Sequence, residues 1–219
     1  MLQNIFRNMG DITKNLLIIN VIMFLVTLFF ETKGIDLFDM LGMHYPSAYK
    51  FRPYQIVTNS FIHGGFRHLL FNMLGLVFLG THLERIWGGK KFLIFYLVSA
   101  LGATFFSTFI DGIKIYMTLG EVFPLIMDGA SAGASGAIFG LIAAYGLLFP
   151  NTEFRLYFLI PIKAKWFAIA CAVYAIYGGL NPSPNPYSGA LTGHFAHLGG
   201  MIFAFLLIQI WKKTDNQFY

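Results

Sequence analysis

The composition of this 219-residue chain is that of an integral membrane protein, because 57% of its residues are hydrophobic, only 11% are charged and 25 are Phe. A soluble domain carries about 25% charged residues, so a soluble enzyme or binding module is excluded. The net charge of +5 does not indicate a nucleic-acid partner, since basic residues in membrane proteins mainly set topology. The single cysteine, Cys171, excludes a disulfide framework and is expected to be a small buried hydrophobe.

Six apolar segments follow one another along the chain, and all are predicted to be helices. They cover about residues 15–30 (or start one turn earlier), 67–87, 92–110, 135–149, 166–180 and 194–211. The predicted fold class is therefore an all-α, polytopic six-transmembrane-helix bundle. We expect one membrane domain over residues 1–219, with an N-terminal segment (1–14), a six-helix core (15–211) and a C-terminal tail (212–219).

The segments between these helices are predicted to be loops over 31–66, 111–133 and 181–193. The first is half apolar and is expected to pack on the membrane surface. Residues 154–162 are predicted to be interfacial, with Pro161 breaking any helix. With both termini on one side, ten of the fifteen Lys and Arg residues fall on that side, which predicts cytoplasmic termini. The first apolar run has no A-x-A-like site after it, so no cleavable signal peptide is expected.

The fourth apolar segment is too short to cross a bilayer, and it begins with a serine. Residues 135–149 make about 22 Å of helix, against a hydrocarbon core of about 30 Å. Ser135 is therefore predicted to lie below the outer surface, facing a water-filled cavity or buried protein. Taken alone, a serine at a helix start is more often an N-cap or a packing residue. Ser131 fits the G-x-S-x-G pattern, but no strand precedes it, so we predict a loop residue without a catalytic role.

Two further polar clusters lie at predicted helix starts, where the bilayer makes them costly. His68 and Asn72 are four residues apart and share one helix face, which suits either donor groups for a ligand or hydrogen bonds between helices. In the last helix, His197 shares a face with Gly200 and Ala204. Such small-residue faces permit close helix approach, and Gly136 and Gly140 give the fourth helix the same property.

Together these clusters predict nucleophilic catalysis that none of them supports alone. A serine hydroxyl needs an adjacent base, and His197 can supply it for Ser135. The Ser135 backbone N–H and the side chains of His68 and Asn72 are candidate donors to an oxyanion. No carboxylate is predicted in the outer halves of the spans, so the pair would be a Ser–His dyad, with Phe139 stacking on the imidazole.

The chain resembles the rhomboid family of intramembrane serine proteases over nearly its whole length. The matching motifs are G-x-S-x at Gly133, Ser135 and Gly136, A-H-x-G-G at His197, Gly199 and Gly200, H-x4-H-x3-N at His63, His68 and Asn72, and an acidic-basic pair at Glu84 and Arg85. The resemblance implies Ser135 as nucleophile, His197 as base, and oxyanion stabilisation by His68, Asn72 and the Ser135 N–H. It implies transmembrane protein substrates that enter near the second and fifth helices, and a 181–193 loop that caps the site.

Two positions depart from the family pattern. Tyr54-Gln55 stands where a Trp-Arg pair is frequent in the long loop, so the resemblance does not say what anchors that loop. Phe139 stands where a tyrosine is frequent, which keeps stacking and loses a hydroxyl. His194, three residues before the base, is expected to line the cavity.

Two alternatives stay open from the sequence. One is a catalytically inactive rhomboid-like scaffold that binds membrane-protein clients. The other is a metal site or transporter built from His63, His68, His194 and His197. We expect no metal, no cofactor and no nucleic acid, with the lipid bilayer and transmembrane substrates as partners; the oligomeric state is not predicted. The resemblance and the lack of a transit peptide or long soluble extensions predict a bacterial cytoplasmic membrane location.

Overall fold

Long apolar helices dominate the computed structural model of this chain, which describes residues 9–119, 130–156, 160–181 and 190–214. Within these ranges, four helices are long and apolar enough to cross a membrane: Asp11–Glu31, Phe66–Trp87, Gly89–Lys114 and Gly193–Thr214. Two shorter apolar helices, Ser135–Leu148 and Ala164–Leu180, accompany them. The chain is thus a mostly helical, multi-pass membrane protein. The ends of the predicted N- and C-terminal segments and most of the predicted 181–193 cap lie outside the described residues.

Helix α1 (Asp11–Glu31) begins one turn before residue 15 and is held at its start by a residue from another span. The buried Glu84 carboxylate accepts hydrogen bonds from Ile12 N (2.9 Å), Thr13 N (2.8 Å) and Thr13 Oγ1 (2.7 Å). The first N–H groups of a helix have no intrahelical partner, so this carboxylate supplies one. Glu84 therefore joins the start of α1 to the end of the second span.

The long loop after α1 carries two short helices, α2 (Leu37–Leu41) and α3 (Gln55–Thr58), and a 3-10 turn (Asn59–Phe61). Gln55, which stands where the resemblance expected Arg, is 1% exposed. Its amide donates to Met40 O and Lys50 O, both at 3.1 Å, and accepts from Arg52 N (3.0 Å) and His44 N (3.4 Å). A neutral amide thus anchors this loop.

The second and third spans follow with one tight turn between them. Helix α4 (Phe66–Gly75), a π-helical segment (Leu76–Gly80) and α5 (Thr81–Trp87) form the second span. Gly88, with φ +77°, then turns the chain into α6 (Gly89–Leu119). Helix α6 continues past residue 110 and includes Asp111, a buried carboxylate. The prediction of a loop that begins at residue 111 is therefore wrong, and this helix contains a carboxylate near its end.

Helix α7 (Ser135–Leu148) lies at the centre of the bundle, packed against α6, α8 (Ala164–Leu180) and α9 (Ala190–Thr214). Nine of its fourteen residues are buried, as expected for a helix that is apolar on every face. Its last helical residue lies two positions before Pro150, which ends the helix as predicted. This central position is what surrounds Ser135 with other spans.

A two-stranded antiparallel ribbon lies between α7 and α8, where the sequence predicted only an interfacial stretch. Strands β1 (Glu153–Leu156) and β2 (Ile160–Lys163) pair with Glu153 opposite Lys163 and Leu156 opposite Ile160. Pro161 cannot donate a ladder hydrogen bond, and a two-stranded ribbon, in which every strand is an edge, tolerates it. The all-α prediction missed this ribbon.

Candidate active site

Ser135 is the first residue of α7, and the residues before it approach another span closely. Gly133 has φ +137°, and a Cβ atom there would lie 2.6–2.7 Å from the His68 imidazole and 3.6 Å from Ser135 Oγ. Both the backbone conformation and this close approach require glycine. The ring of His68 and the hydroxyl of Ser135 therefore border the same small space.

The Ser135 hydroxyl bonds to the histidine singled out in the last helix. Ser135 Oγ lies 2.9 Å from Nε2 of His197, within hydrogen-bond distance. The N-cap of α7 is Ala134, and no side-chain capping bond is made there. The hydroxyl is thus directed at an imidazole and not at its own helix.

The imidazole of His197 is held by stacking. Its ring lies 3.9 Å from that of Phe139, at an interplanar angle of 6°. Among the residues that the structure describes, His197 Nδ1 is buried without a hydrogen-bond partner. In the described part of the chain, the pair therefore has no orienting carboxylate.

Small residues bring α7 and α9 together at the level of this pair. A Cβ atom on Gly200 would overlap the backbone of Gly136, and one on Gly140 would lie 3.2 Å from Gly200 O. On the other side of α9, a Cβ atom on Gly199 would lie 2.5 Å from Phe106 Cβ. Gly136, Gly140 and Gly200 let the backbones of α7 and α9 touch, which places the imidazole against the serine, whereas Gly199 lets α9 approach α6.

The second span brings three predicted polar residues to the same region. His68 lies against Gly133, and its ring is 5.1 Å from that of His63. Asn72, one helical turn after His68, is buried, and its Nδ2 has no hydrogen-bond partner among the described residues. Burial and the neighbouring His68 lower the pKa of His63, which precedes the span, from 6.5 to about 4. His63 is therefore neutral at pH 7.

His194 lies at the edge of this group, between α9 and the end of α8. A Cβ atom on Gly178 would lie 2.5–2.6 Å from its ring, and the ring of Tyr174 is 5.1 Å away. The rings of His194 and His197 are 6.3 Å apart. His194 thus contacts the fifth predicted span next to the Ser135–His197 pair.

Lys114, which the sequence analysis placed in a loop, joins α6 to α8 and α9 near this point. Its Nζ donates to Gly179 O (3.0 Å) and lies 4.2 Å from the centre of the Phe195 ring. The same ring fills the space beside Gly179. This contact fixes the first turns of the helix that carries His197.

Asn59 is a second residue that sequence reasoning missed. Its carbonyl accepts a hydrogen bond from Gly133 N (2.8 Å), so it holds the residue two positions before Ser135. No spacing in the sequence indicated this contact, because it is made by a backbone carbonyl.

Metal-binding geometry is not found in the described part of the chain. There, no group of three or more His, Cys, Asp or Glu residues is arranged to hold a metal ion. The four histidines of the metal alternative form two neighbouring pairs, with ring centroids 5.1 Å apart for His63 and His68 and 6.3 Å apart for His194 and His197.

Comparisons with known proteins agree with this architecture. The family model of the Rhomboid domain matches residues 50–213. Rhomboid protein 1, mitochondrial, of Saccharomyces cerevisiae is 32% identical over 164 residues, which are 74% of this chain and 43% of that protein. The putative rhomboid protease YdcA of Bacillus subtilis is 31% identical over 158 residues, 71% of this chain and 68% of its own length. Rhomboid-like protein 11, chloroplastic, of Arabidopsis thaliana is 27% identical over 204 residues, 92% of this chain and 65% of its own length.

Fold and site thus define a multi-pass helical membrane protein with a serine and a histidine in contact between its helices. The chain belongs to the rhomboid family. It spans less than half the length of the yeast relative.

Proposed function

We propose that this chain is an intramembrane serine endopeptidase in which Ser135 is the nucleophile and His197 the general base. The observation that carries the proposal is the 2.9 Å contact between Ser135 Oγ and His197 Nε2. A nucleophile within hydrogen-bond reach of a base is the arrangement that activates a serine hydroxyl.

In acylation, Ser135 Oγ attacks the carbonyl carbon of the scissile peptide bond while its proton moves to His197 Nε2. The tetrahedral intermediate then collapses, the C–N bond breaks, and His197 returns the proton to the leaving amine. The carbonyl-containing half of the substrate remains as an ester on Ser135. A water molecule gives a proton to His197 and attacks the ester carbonyl; the second intermediate collapses with cleavage of the bond to Ser135 Oγ, His197 returns the proton to that oxygen, and the acid is released.

The negative oxygen of each intermediate needs preorganised donors. The Ser135 N–H belongs to the first turn of α7, where backbone N–H groups lack intrahelical acceptors and the helix dipole favours negative charge. His68 borders the Ser135 hydroxyl across Gly133, and the Asn72 amide stands one turn further along the same face. We propose these three groups as the oxyanion donors.

Orientation of the base is proposed to come from Phe139. A carboxylate performs this task in the Ser-His-Asp triad. Here the stacked ring restricts the plane of the imidazole, and the glycines at 199 and 200 fix the helix below it. Gly133, Gly136, Gly199 and Gly200 are accordingly proposed as supporting residues, with His63 and His194 lining the pocket.

We propose six membrane crossings with both termini in the cytoplasm. His68, Ser135 and His197 belong to the N-terminal parts of α4, α7 and α9 and lie together, which supports a start of these three helices on one side of the membrane. Helices α6 and α8 must then return the chain to the other side, although α8 has only 17 residues. The contact of Glu84 with the start of α1 supports an opposite start for that helix. A single domain over residues 1–219 is part of the same proposal.

The proposed substrates are membrane proteins that are cleaved in or near a transmembrane segment. Large apolar side chains on the second span and on α8 face outward, among them Phe71, Phe78, Val173 and Tyr177. These faces suit lipid or a substrate helix, and we propose lateral entry between them. The relatives' names place one in mitochondria and one in chloroplasts, and one comes from a bacterium, so a bacterial cytoplasmic membrane stays a prediction.

Cleavage of a model substrate in liposomes tests the proposal. The substrate carries one transmembrane segment weakened by glycine and proline. Wild-type protein and Ser131→Ala are expected to cut it, because Ser131 joins its neighbours mainly through its backbone. Ser135→Ala and His197→Ala are expected to be silent while remaining folded.

Each other outcome points to a different function. Cleavage by Ser135→Ala contradicts the assignment of the nucleophile. Loss of wild-type activity in EDTA favours the metal alternative. A folded wild-type protein that binds membrane-protein clients and cuts none of a panel of segments indicates the inactive scaffold.

A further inference from the structure

Three backbone hydrogen bonds hold the residues that lead into Ser135, and all three partners belong to the long first loop. Met43 N donates to Ser131 O (2.7 Å) and Ser131 N donates to Met43 O (2.9 Å), which makes an isolated antiparallel bridge. Gly133 N donates to Asn59 O at 2.8 Å. The residues between 130 and 134 have no helix or extended strand of their own.

The sequence explains why residues 130–134 must be held by another part of the chain. Residues 129–136 are all Gly, Ala or Ser, which carry little side-chain bulk to fix a backbone. Glycine has the largest conformational freedom, so Gly133 does not hold its own φ of +137°. Catalysis requires the nucleophile to be held in position before substrate binds.

Gln55 positions the loop side of the bridge. Its side chain donates to Met40 O and accepts from His44 N, so it holds the chain on both sides of Met43. The amide is 1% exposed and makes two further bonds, to Arg52 N and Lys50 O. One buried side chain thus holds residues 40–44 at both ends, and Thr58 Oγ1 donates to Leu41 O (2.7 Å) between them.

Asn59 makes the other contact, the hydrogen bond from Gly133 N to its backbone carbonyl, and its side chain connects this point to α6. Its Nδ2 donates to Gln55 O and Ile56 O, at 2.5 and 2.9 Å, and its Oδ1 accepts from Thr104 Oγ1 at 3.3 Å. The residue is 6% exposed. These bonds fix where the Asn59 carbonyl points, and that carbonyl receives Gly133 N–H.

We propose that Gln55 and Asn59 are positioning residues for the nucleophile. Their side chains hold the first loop, and the backbone of that loop holds residues 131–133 in place before Ser135. The inference rests on the proposed function and goes beyond it, since it assigns a role in turnover to a loop that contacts no reacting atom. It also explains how a chain with Gln at position 55 anchors that loop.

The first test compares Gln55→Leu with Gln209→Leu, a matched change at a half-buried position near the end of α9. Misplacing a reacting group by about 1 Å costs about 10²-fold, so Gln55→Leu is expected to lower kcat by about that factor with little change in KM. Gln209→Leu is expected to keep the wild-type kcat. Thr104→Val, which removes only the hydroxyl on Asn59 Oδ1, is expected to lower kcat by about 3- to 10-fold.

A disulfide then tests whether Gln55 acts by positioning residues 131–133 and not by stabilising the protein as a whole. Residues in a bonded antiparallel pair have Cα atoms about 5.5 Å apart, within the range of a disulfide. Met43→Cys with Ser131→Cys, in a Cys171→Ala background, therefore locks the bridge covalently. In the oxidised form, the kcat of Gln55→Leu with the disulfide is expected to lie within about threefold of the kcat of the disulfide variant that keeps Gln55. Reduction of the disulfide is expected to abolish this rescue.

The outcomes separate this inference from the proposed function. Wild-type kcat in Gln55→Leu, or a mass-verified disulfide that fails to rescue it, overturns the positioning role. If Gln55→Leu does not fold without the disulfide, two other variants are used: oxidised Gln55→Leu with the disulfide, and Thr104→Val. Wild-type kcat in Thr104→Val, together with no activity in oxidised Gln55→Leu with the disulfide, overturns the positioning role. Activity that survives Ser135→Ala overturns the proposed function itself.

Discussion

The ring of Phe139 lies parallel to the imidazole of His197, with centroids 3.9 Å apart and planes 6° from parallel. The two residues belong to different helices, and Phe139 stands one helical turn after Ser135 on α7. One helix therefore presents both the Ser135 hydroxyl and the aromatic ring that contact the His197 imidazole. Any displacement of α9 along α7 changes both contacts together.

Phe139→Leu is expected to lower kcat by about 2- to 10-fold, because ring stacking contributes about 0.5–1.5 kcal/mol. Phe139→Tyr keeps the aromatic face and is expected to stay near the wild-type rate. Phe109→Leu, an exposed aromatic change on α6, is the control. Equal kcat values for Phe139→Leu and wild type would show that the stack does not orient the base.

The proposed oxyanion donors predict a specific kinetic signature. His68→Ala and Asn72→Ala are each expected to lower kcat by about 10²–10³-fold with little change in KM, since the donors act on the transition state. Asn15→Ala, at an exposed position of α1, is the matched control. A loss below tenfold in either variant would contradict its role as an oxyanion donor, and a lowered melting temperature in that variant would assign the residue to helix packing.

Close approach of α7 and α9 predicts that a single methyl group at Gly200 is not tolerated. A Cβ atom there overlaps the Gly136 backbone, so Gly200→Ala forces the helices apart, at a cost of about 1–3 kcal/mol or more. Gly193→Ala, on the same helix, meets nothing within 4 Å and is the control. Thermal unfolding in detergent is expected to show a lower melting temperature for Gly200→Ala alone. Equal melting temperatures would contradict the packing described for this pair.

The depressed pKa of His63 predicts a loss of stability in weak acid. In the unfolded chain the imidazole binds a proton below pH 6.5, whereas the folded protein keeps it neutral down to about pH 4. The unfolded state therefore binds more protons between these values, and the free energy of unfolding falls as the pH falls from 6.5 to 4, by up to about 3 kcal/mol. In His63→Gln, the decrease in melting temperature between pH 7 and pH 4.5 is expected to be smaller than in wild type. Equal decreases in the melting temperature of both proteins would show that His63 does not cause the loss of stability.

Hydropathy predicted where the apolar helices lie, because a bilayer favours apolar runs of about twenty residues and four of the described helices reach that length. It failed at the end of α6, where Asp111 and Lys114 indicated a loop. Inside the bundle, Lys114 bonds to a carbonyl of α8 and stacks on Phe195, so its charge does not end the helix. Such pairing is non-local and leaves no periodic signal.

The candidate site was likewise predicted only in part from the sequence. Ser135, His197, His68 and Asn72 were singled out because polar groups at helix starts are costly in a membrane. The bonds of Gln55, Asn59 and Ser131 that hold the segment before Ser135 were not, since contacts between distant segments depend on how the loop folds. Spacing indicates which residues share a face, and it does not indicate which backbone atoms meet.

Covalent labelling with a fluorophosphonate tests the central claim most directly, because the reagent reports an activated serine without requiring a substrate. Wild-type protein in detergent is expected to gain one adduct, which peptide mass spectrometry locates at Ser135, and His197→Ala is expected to gain none. An adduct on Ser131, or equal labelling of Ser135 in folded His197→Ala, would contradict the Ser135–His197 dyad.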